Sequence, residues 1–352
     1  MYYLNPNVEH LYRIFDQNER KTYLRLDLNE NPVGLPEKFI MQVLSGITPQ
    51  FVAQYPETLE FTTHLAQYLG TSIQNLCLVN GSAEGIRHII EAFTSPGGRI
   101  VGVVPSYFMF QVYSEMYGRN IIKVPYEEDL SMSTESILAA MTIDTELLIL
   151  LNPNNPMGNV YSEEEFKRIM HYAEKQQITV LIDEAYHYFY PKTFINYALH
   201  HEHVFVTRTF SKLFSMAGCR LGYVAGWQEG ISIIQKLCTP HNVNAFAMRF
   251  ADAIIQNPKI IEELIFKFND GRKYLIELLD KNGYPHHGDA GNFIFIKPRT
   301  DADEIVRKMK KEKKILVKSY PNVGKFGTCL RVTIGERSIM EQFITALLEI
   351  DK

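Results

Sequence analysis

The sequence has few cysteines, and no two of them are close together. Its four cysteines, at positions 77, 219, 238 and 329, form no Cys-x-x-Cys pair and have no spacing typical of a zinc site. We therefore expect neither a metal centre nor a disulfide framework. A basic excess is lacking as well, because 36 lysines and arginines face 40 acidic residues and the net charge is −4. This balance argues against nucleic acid as a partner.

Long hydrophobic runs are also missing. No apolar stretch approaches the roughly 20 residues that a membrane-spanning helix needs, so we expect no membrane contact. Residues 1–7 are polar and lack the basic and apolar regions of a secretory signal. The predicted location is therefore the reducing cytoplasm. The chain also shows no internal repeat, low-complexity tract or long linker.

Apolar runs that alternate with helical patterns dominate the region from residue 76 to residue 226. The runs at 76–79, 147–151 and 178–182 are typical of buried strands in a parallel sheet. They predict an α/β fold with a doubly wound sheet and a site at the carboxyl ends of its strands. After about residue 245 the pattern changes to an α+β unit, with a long helix at about 258–282 and a terminal helix at about 337–350.

A chain of 352 residues is long for one domain, so we expect a large domain and a smaller one. The large domain is predicted to span residues 37–245, and residues 246–352 are predicted to form the smaller one together with residues 1–36. Those first residues are polar and punctuated by proline. They are expected to lie as an arm across the surface.

Two polar turns follow predicted strands. The first, Asn80-Gly81-Ser82-Ala83-Glu84-Gly85, leads into a helix, where free backbone N–H groups and the positive helix end can bind an anion. Such helix starts are common, so the turn alone is a weak signal. The second turn, Asn152 to Gly158, contains two prolines and three asparagines and reads as a sharp, rigid turn.

Two charged residues near strand ends are candidates for chemistry. Asp183 ends an apolar strand, and a carboxylate there is costly unless it is paired, for example with a protonated ring nitrogen. A helix cap or a surface carboxylate is the ordinary alternative. Lys212 follows the apolar strand Val204–Val206 and a polar turn that carries hydroxyls. It is either a solvated loop lysine or a reactive amine whose pKa is lowered or which is captured as an imine.

Together these motifs resemble the fold type I enzymes that use pyridoxal 5'-phosphate, most closely the aminotransferase branch that contains histidinol-phosphate aminotransferase. The stretches 152–158, 183–186 and 208–222 occur in the order and approximate spacing of that family. The resemblance covers nearly the whole chain, from Asn29-Glu30-Asn31-Pro32 to residues 331–335. It implies a large domain with a mostly parallel doubly wound sheet, a smaller α+β domain and pyridoxal 5'-phosphate as cofactor.

The resemblance also implies roles for individual residues. Lys212 would hold the cofactor as an imine and, once freed, would move the α-proton of the substrate. Asp183 would pair with the pyridinium nitrogen, so that the ring can act as an electron sink. Tyr186 and Asn155 would donate hydrogen bonds to the phenolic oxygen of the ring. Tyr107, rather than Phe110, would stack on the ring face.

Further residues would bind the phosphate of the cofactor and the anionic groups of the substrate. The phosphate ligands implied by the resemblance are the backbone of Ser82, Ala83 and Glu84, the hydroxyls of Thr209 and Ser211, and the guanidinium of Arg220. Tyr55 would reach the phosphate from a neighbouring subunit, which implies a homodimer with shared active sites. The implied substrate ligands are Arg331, Lys318, Asn292 and Asn155. Lys318 departs from the family, which usually has an arginine at this position.

The activity implied is an aminotransferase that moves an amino group from a donor such as glutamate to a small oxo acid or a phosphorylated oxo compound. A decarboxylase similar to threonine-phosphate decarboxylase would use the same lysine, aspartate, asparagine and tyrosine, so the residues leave this alternative open. A non-enzymatic regulator with such a ligand-binding domain would need an added DNA-binding module. The chain has no spare segment for one.

Overall fold

A computed structural model describes residues 2, 4–12, 20–288 and 290–352. Part of the predicted N-terminal arm, residues 1, 3 and 13–19, lies outside these described residues. Within the described part, no helix is long and apolar enough to cross a membrane.

The larger sheet contains seven strands, and its topology confirms the predicted doubly wound architecture. The strands are β2 (Leu76–Val79), β3 (Arg99–Val104), β4 (Asn120–Pro125), β5 (Thr145–Leu151), β6 (Thr179–Asp183), β7 (Val204–Thr209) and β8 (Gly222–Gly226). They lie in the order β2-β8-β7-β6-β5-β3-β4. All neighbouring pairs are parallel except those of β8, which is antiparallel to both β2 and β7. The sheet is therefore mixed but mostly parallel.

Helices accompany this sheet. They are α1 (Pro6–Glu9), α2 (Glu37–Leu44), α3 (Pro49–Ala53), α4 (Leu59–Leu69), α5 (Ser82–Phe93), α6 (Met109–Met116), α7 (Thr134–Ala140), α8 (Glu163–Lys175), α9 (Ile195–His200), α10 (Gln228–Leu237) and α11 (Ala245–Ile255). The central strands β5 and β6 are almost wholly buried, which accounts for their continuous apolar sequences. The start of α8 is fixed by a capping box in which the Ser162 and Glu165 side chains each bond the other's backbone N–H.

A second, smaller sheet lies in the C-terminal part of the chain. Its strands β9 (His286–His287), β10 (Phe293–Ile296), β12 (Lys318–Tyr320) and β13 (Cys329–Thr333) are antiparallel, in the order β12-β13-β10-β9. A separate parallel pair joins β1 (Leu24–Arg25) to β11 (Ile315–Leu316). The helices here are α12 (Pro258–Lys281), α13 (Ala302–Lys308) and α14 (Arg337–Ile350). The predicted long helix and terminal helix are therefore both present.

The apolar side chains form separate clusters around the two sheets, and α12 contributes to both. Its residues Ile260 and Leu264 pack into the cluster of the large sheet, and Phe268 and Leu275 pack into that of the small sheet. The core of the large sheet therefore continues beyond residue 245. The predicted domain boundaries themselves stay a prediction.

The N-terminal arm is exposed at residues 4–10, as predicted, but its later part does not lie on the surface. Leu26 and Asn29 are fully buried, with exposed fractions of 0% and 1%. The backbone of Leu26 donates to the Leu316 carbonyl and accepts from the Thr333 N–H. These bonds attach the arm to β11 and to β13 of the small sheet. The backbone of this stretch can therefore be buried because its polar groups are paired.

The strand predicted to end at Val206 continues to Thr209. Thr207, Arg208 and Thr209 are buried and pair with β8, although the sequence predicted a polar turn. Burial of the Arg208 guanidinium is possible because Glu184 lies 2.8 Å from it and is itself almost fully buried. In a buried ion pair of this kind each charge needs its partner, because a buried charge without one is strongly destabilising. The negative charge of Glu184, the neighbour of Asp183, is thus compensated by Arg208 on the next strand.

Candidate active site

Twelve of the predicted site residues meet in one cavity of about 450 Å³. The cavity lies where β5, β6 and β7 end and where α5 begins, at the carboxyl edge of the large sheet, and the small sheet closes one side of it. This is the position at which open α/β sheets usually bind their ligands. The residues brought together are Ser82, Ala83, Tyr107, Asn155, Asp183, Tyr186, Thr209, Ser211, Lys212, Arg220, Lys318 and Arg331.

Three predicted residues do not line this cavity. The Glu84 N–H donates to the Gly81 carbonyl, and its carboxylate accepts from Asn80 and Asn242. Asn292 is buried beside the cavity, where its amide donates to the Asn29 carbonyl. Tyr55 is 78% exposed and stacks on His241, with ring centroids 4.4 Å apart.

The Lys212 amine points into the cavity instead of out to solvent. Its Nζ donates to the Leu28 carbonyl at 3.0 Å and lies 5.7 Å from the centre of the Tyr186 ring. Burial, together with the positive charge of Arg331, lowers the pKa of this amine to about 8. An appreciable fraction is therefore neutral near pH 7, and a neutral amine is the form that attacks a carbonyl carbon.

Asp183 faces the same cavity from the last position of β6. It is 2% exposed and accepts hydrogen bonds from the Ala185 N–H and the Thr207 hydroxyl, both at 3.1 Å. No ion pair to this carboxylate is found in the described part of the chain. Burial raises its pKa to about 7, against the opposing effect of the two hydrogen bonds. A cationic ligand group would relieve this unfavourable environment.

A cluster of donors at the start of α5 forms an anion site. Ser82 and Ala83 occupy the first positions of the helix, where backbone N–H groups have no intrahelical partner. The Thr209 hydroxyl lies 2.9 Å from that of Ser211, and the Arg220 guanidinium donates to Ser211 at 3.2 Å. Hydroxyls, a guanidinium and a helix N-terminus together favour a phosphate group.

The close approach of the chain around this anion site requires glycine at two positions. Gly81 has a φ of 79°, and a Cβ there would collide with the Arg220 guanidinium. A Cβ on Gly222 would lie 2.6 Å from the Ser82 nitrogen, which real structures essentially never show. The two glycines therefore let strand β8 and the start of α5 approach closely enough to place Arg220 beside the helix end.

On the opposite side, Arg331 reaches the cavity from β13 of the small sheet. Its guanidinium donates to the Asn155 side chain and to the Asp27 carbonyl, both at 2.7 Å. It also lies over the Tyr320 ring, 5.0 Å from the centroid. Lys318 pairs with Arg331 across β12 and β13, so the two cations reach the cavity side by side. This side of the cavity favours anionic groups.

Residues 27–29 contact three of the predicted site residues, although the sequence analysis does not select them as site residues. The Asp27 carbonyl accepts from Arg331, the Leu28 carbonyl accepts from Lys212, and the Asn29 amide donates to the Tyr186 hydroxyl at 3.0 Å. The available signal was Asn29 within the run Asn29-Glu30-Asn31-Pro32. Two of the three contacts are made by backbone atoms, which residue types do not reveal.

Comparison with known proteins places the chain in a large group of enzymes. The family described as aminotransferase class I and II matches residues 21–347. The histidinol-phosphate aminotransferase of Caldanaerobacter subterraneus subsp. tengcongensis is 33% identical over 329 residues, which cover 93% of this chain and 92% of the relative. The enzyme of the same name from Thermococcus gammatolerans is 28% identical over 341 residues, 96% of this chain and 94% of the relative.

Solved structures resemble the fold over nearly its full length. The histidinol-phosphate aminotransferase of Sinorhizobium meliloti, solved in complex with pyridoxal 5'-phosphate, has a TM-score of 0.88 and 22% identity, covering 99% of this chain and 97% of its own. That of Clostridium acetobutylicum has a TM-score of 0.83 and 26% identity, covering 93% and 99%. The first likeness concerns the fold alone, because the identity is low.

Proposed function

The chain belongs to the class I and II aminotransferases and is a pyridoxal-phosphate-dependent transaminase, and from this premise we propose that it transfers an amino group from glutamate to a phosphorylated oxo compound of the histidinol-phosphate type. One observation carries the proposal. The Lys212 amine and the Asp183 carboxylate share a cavity that has an anion site at one end and the cations Arg331 and Lys318 at the other. The relatives with sequence identity around 30% carry the name histidinol-phosphate aminotransferase.

The residues of the cavity fit pyridoxal 5'-phosphate. The anion site at α5, with Thr209, Ser211 and Arg220, suits its phosphate, and the glycines at 81 and 222 leave the space that this requires. Asp183 offers a buried carboxylate to a protonated ring nitrogen. Tyr107 lines the cavity and offers an aromatic face to the ring.

When bound, the cofactor supplies an electrophilic carbon for amines and a ring that takes up an electron pair from the α-carbon of the substrate. Lys212 would attach the cofactor. Once released from it, the Lys212 Nζ would accept the α-proton of the substrate and deliver it to the carbon of the cofactor that is bonded to the substrate nitrogen. Asp183 would keep the ring nitrogen protonated. Tyr186 and Asn155 would donate to the phenolic oxygen of the ring. The Asn155 Oδ1 accepts from Arg331, so its side-chain NH₂ is the group that would donate.

Arg331 is the proposed ligand for the anionic group of the substrate. Replacing it with alanine should raise the apparent KM for anionic substrates by about 30-fold or more, because a desolvated charge pair contributes about 2–5 kcal/mol to binding. The cofactor Kd should change far less, since the phosphate site lies at the other end of the cavity. Steady-state kinetics and cofactor titration measure the two quantities.

The control for this variant is Arg337→Ala, which removes an exposed arginine paired with Asp270 on the surface. It should leave both constants unchanged. Equal losses of substrate and cofactor affinity in Arg331→Ala would contradict the assignment of Arg331 to the substrate.

The assembly is proposed to be a homodimer. Tyr55 stays outside the cavity of its own chain and exposes most of its ring. This position is compatible with a role at the phosphate site of a second subunit. A monomeric mass in sedimentation under assay conditions would contradict the dimer. A cytoplasmic location stays a prediction, which cell fractionation would test.

Single half-reactions provide the test of function. Glutamate added to the enzyme should convert the bound cofactor to its amine form, and the spectral change should reverse when the correct oxo compound is added. A panel of oxo acids and phosphorylated ketones then identifies the acceptor, and we expect the fastest reversal with a phosphorylated compound that carries an imidazole. Failure of glutamate to change the spectrum, with release of carbon dioxide from a phosphorylated amino acid, would favour the decarboxylase. The aminotransferase names of the relatives reported above give that alternative no support.

A further inference from the structure

Asn29 uses all of its polar groups to join three parts of the active site. It is 1% exposed and has a φ of 58°, a left-handed conformation that asparagine tolerates better than most residues. Its N–H donates to the Thr333 hydroxyl at 3.0 Å, and its carbonyl accepts from Asn292 at 3.0 Å. Its side-chain nitrogen donates to the Tyr186 hydroxyl at 3.0 Å. The arm residue thus contacts both the small sheet and the end of β6.

The hydrogen bonds fix which way the Asn29 amide faces. The Thr333 hydroxyl accepts from the Asn29 N–H, so its own hydrogen is available to the Asn29 Oδ1, 3.4 Å away. With Oδ1 held on this side, Nδ2 must point to Tyr186. An amide NH₂ only donates, so the Tyr186 oxygen is the acceptor of this bond.

The direction of this bond determines where the Tyr186 hydroxyl hydrogen can go. Because its oxygen already accepts from Asn29, the hydrogen cannot point back along the same line. Tyr186 is 4% exposed, its ring packs edge-on against Phe293, and it lines the cavity. Among the described residues no acceptor for this hydrogen is found. The hydrogen is therefore left for an acceptor inside the cavity.

We infer that Asn29 is a positioning residue, which holds Tyr186 as a hydrogen-bond donor toward the phenolic oxygen of the cofactor. The inference rests on the proposed role of Tyr186 and adds the group that imposes its direction. A hydrogen bond donated to that oxygen draws off negative charge. The oxygen then attracts less strongly the proton on the nitrogen through which Lys212 would be attached to the cofactor. The hydrogen bond therefore lowers the pH midpoint at which the absorbance of the bound cofactor changes.

The variant that tests this is Asn29→Asp, because it preserves shape while reversing the hydrogen bond. A carboxylate accepts from Tyr186 and turns its hydrogen away from the cavity. We expect the absorbance midpoint to rise by about one pH unit, similar to the rise in Tyr186→Phe, since a hydrogen bond to a charged group has this magnitude. The readout is a spectroscopic titration and does not depend on turnover.

A new negative charge would also raise the midpoint, so the double variant Asn29→Asp with Tyr186→Phe separates the two causes. If Asn29 acts through Tyr186, the double variant has the midpoint of Tyr186→Phe alone. Additive shifts would indicate a purely electrostatic effect and would overturn the inference. Asn31→Asp places the same charge two residues away, where the native amide donates to Ser215, and should shift the midpoint much less.

A second variant covers the case in which Asn29→Asp does not fold. Thr333→Val removes the hydroxyl that orients the amide, so Asn29 can turn and Tyr186 can lose its direction; the midpoint should rise by a smaller amount. If Tyr186→Phe leaves the midpoint unchanged, the proposed role of Tyr186 fails and this inference fails with it. If Tyr186→Phe raises it and neither Asn29→Asp nor Thr333→Val does, the inference about Asn29 alone is overturned.

Discussion

Lys212→Ala is expected to lower turnover by about 10⁴-fold or more. The variant removes both the amine that attaches the cofactor and the base that moves the α-proton, and general base catalysis alone accounts for about 10²–10⁴-fold. The absorbance band that depends on the bond between Lys212 and the cofactor should disappear as well. Initial rates with glutamate, together with absorbance spectra of the purified protein, measure both effects.

The matched control is Lys267→Ala. This lysine lines a small cavity next to Lys212 but pairs with Glu263 on the surface of α12. Its loss should leave the spectrum and the rate close to those of the unmodified enzyme. Turnover of Lys212→Ala at the unmodified rate, with the band intact, would remove Lys212 from its proposed role.

Asp183→Asn is expected to have two opposite effects. In the enzyme with cofactor, turnover should fall by about 10²-fold or more, because the ring nitrogen loses the carboxylate that keeps it protonated. Without cofactor, the variant should be the more stable protein near pH 8. An amide of the same shape still accepts from Ala185 and Thr207, and it avoids the cost of a buried charge.

The stability advantage of Asp183→Asn over the unmodified apoenzyme should depend on pH. Burial raises the pKa of Asp183 from 3.8 to about 7, so below about pH 4 the group is protonated in both the folded and the unfolded chain. Between about pH 4 and 7 the unfolded chain loses this proton first, and the folded state is progressively destabilised. The difference in Tm between Asp183→Asn and the unmodified apoenzyme should therefore grow over this range and level off above it. A constant difference would show that the raised pKa is not the cause.

The sequence pattern predicts that polar residues meet at the carboxyl edge of the large sheet, and the structure brings them together there. Asp183 and Lys212 end or follow apolar strands, and parallel strands bring such ends to one edge, so their meeting in one cavity follows from the pattern. The position of Arg331 was implied only by resemblance. It depends on how the small sheet packs over the large one, which is a long-range contact that local patterns do not encode.

The errors arose where polar residues are buried in pairs. The sequence predicts Arg208 in a turn because a guanidinium is rarely buried, but Glu184, which directly follows the adjacent strand β6, compensates its charge. Residues 24–26 are predicted on the surface with the rest of the polar arm, but their backbone is paired with β11 and β13. In both cases the partner is distant along the chain although it is close in space, so the local sequence gives no sign of it.

The contacts at Asp27 and Leu28 differ in kind from the others in the active site. The atoms that hold the Arg331 guanidinium and the Lys212 amine are main-chain oxygens, which every amino acid possesses. Alanine substitutions at these two positions would leave both oxygens in place, and the effect of Asp27→Ala would report only the loss of the ion pair between its carboxylate and Arg20. Only changes that reroute the chain, such as a one-residue deletion, displace them. For these two oxygens the constraint is therefore one of chain length and path, and not of residue identity.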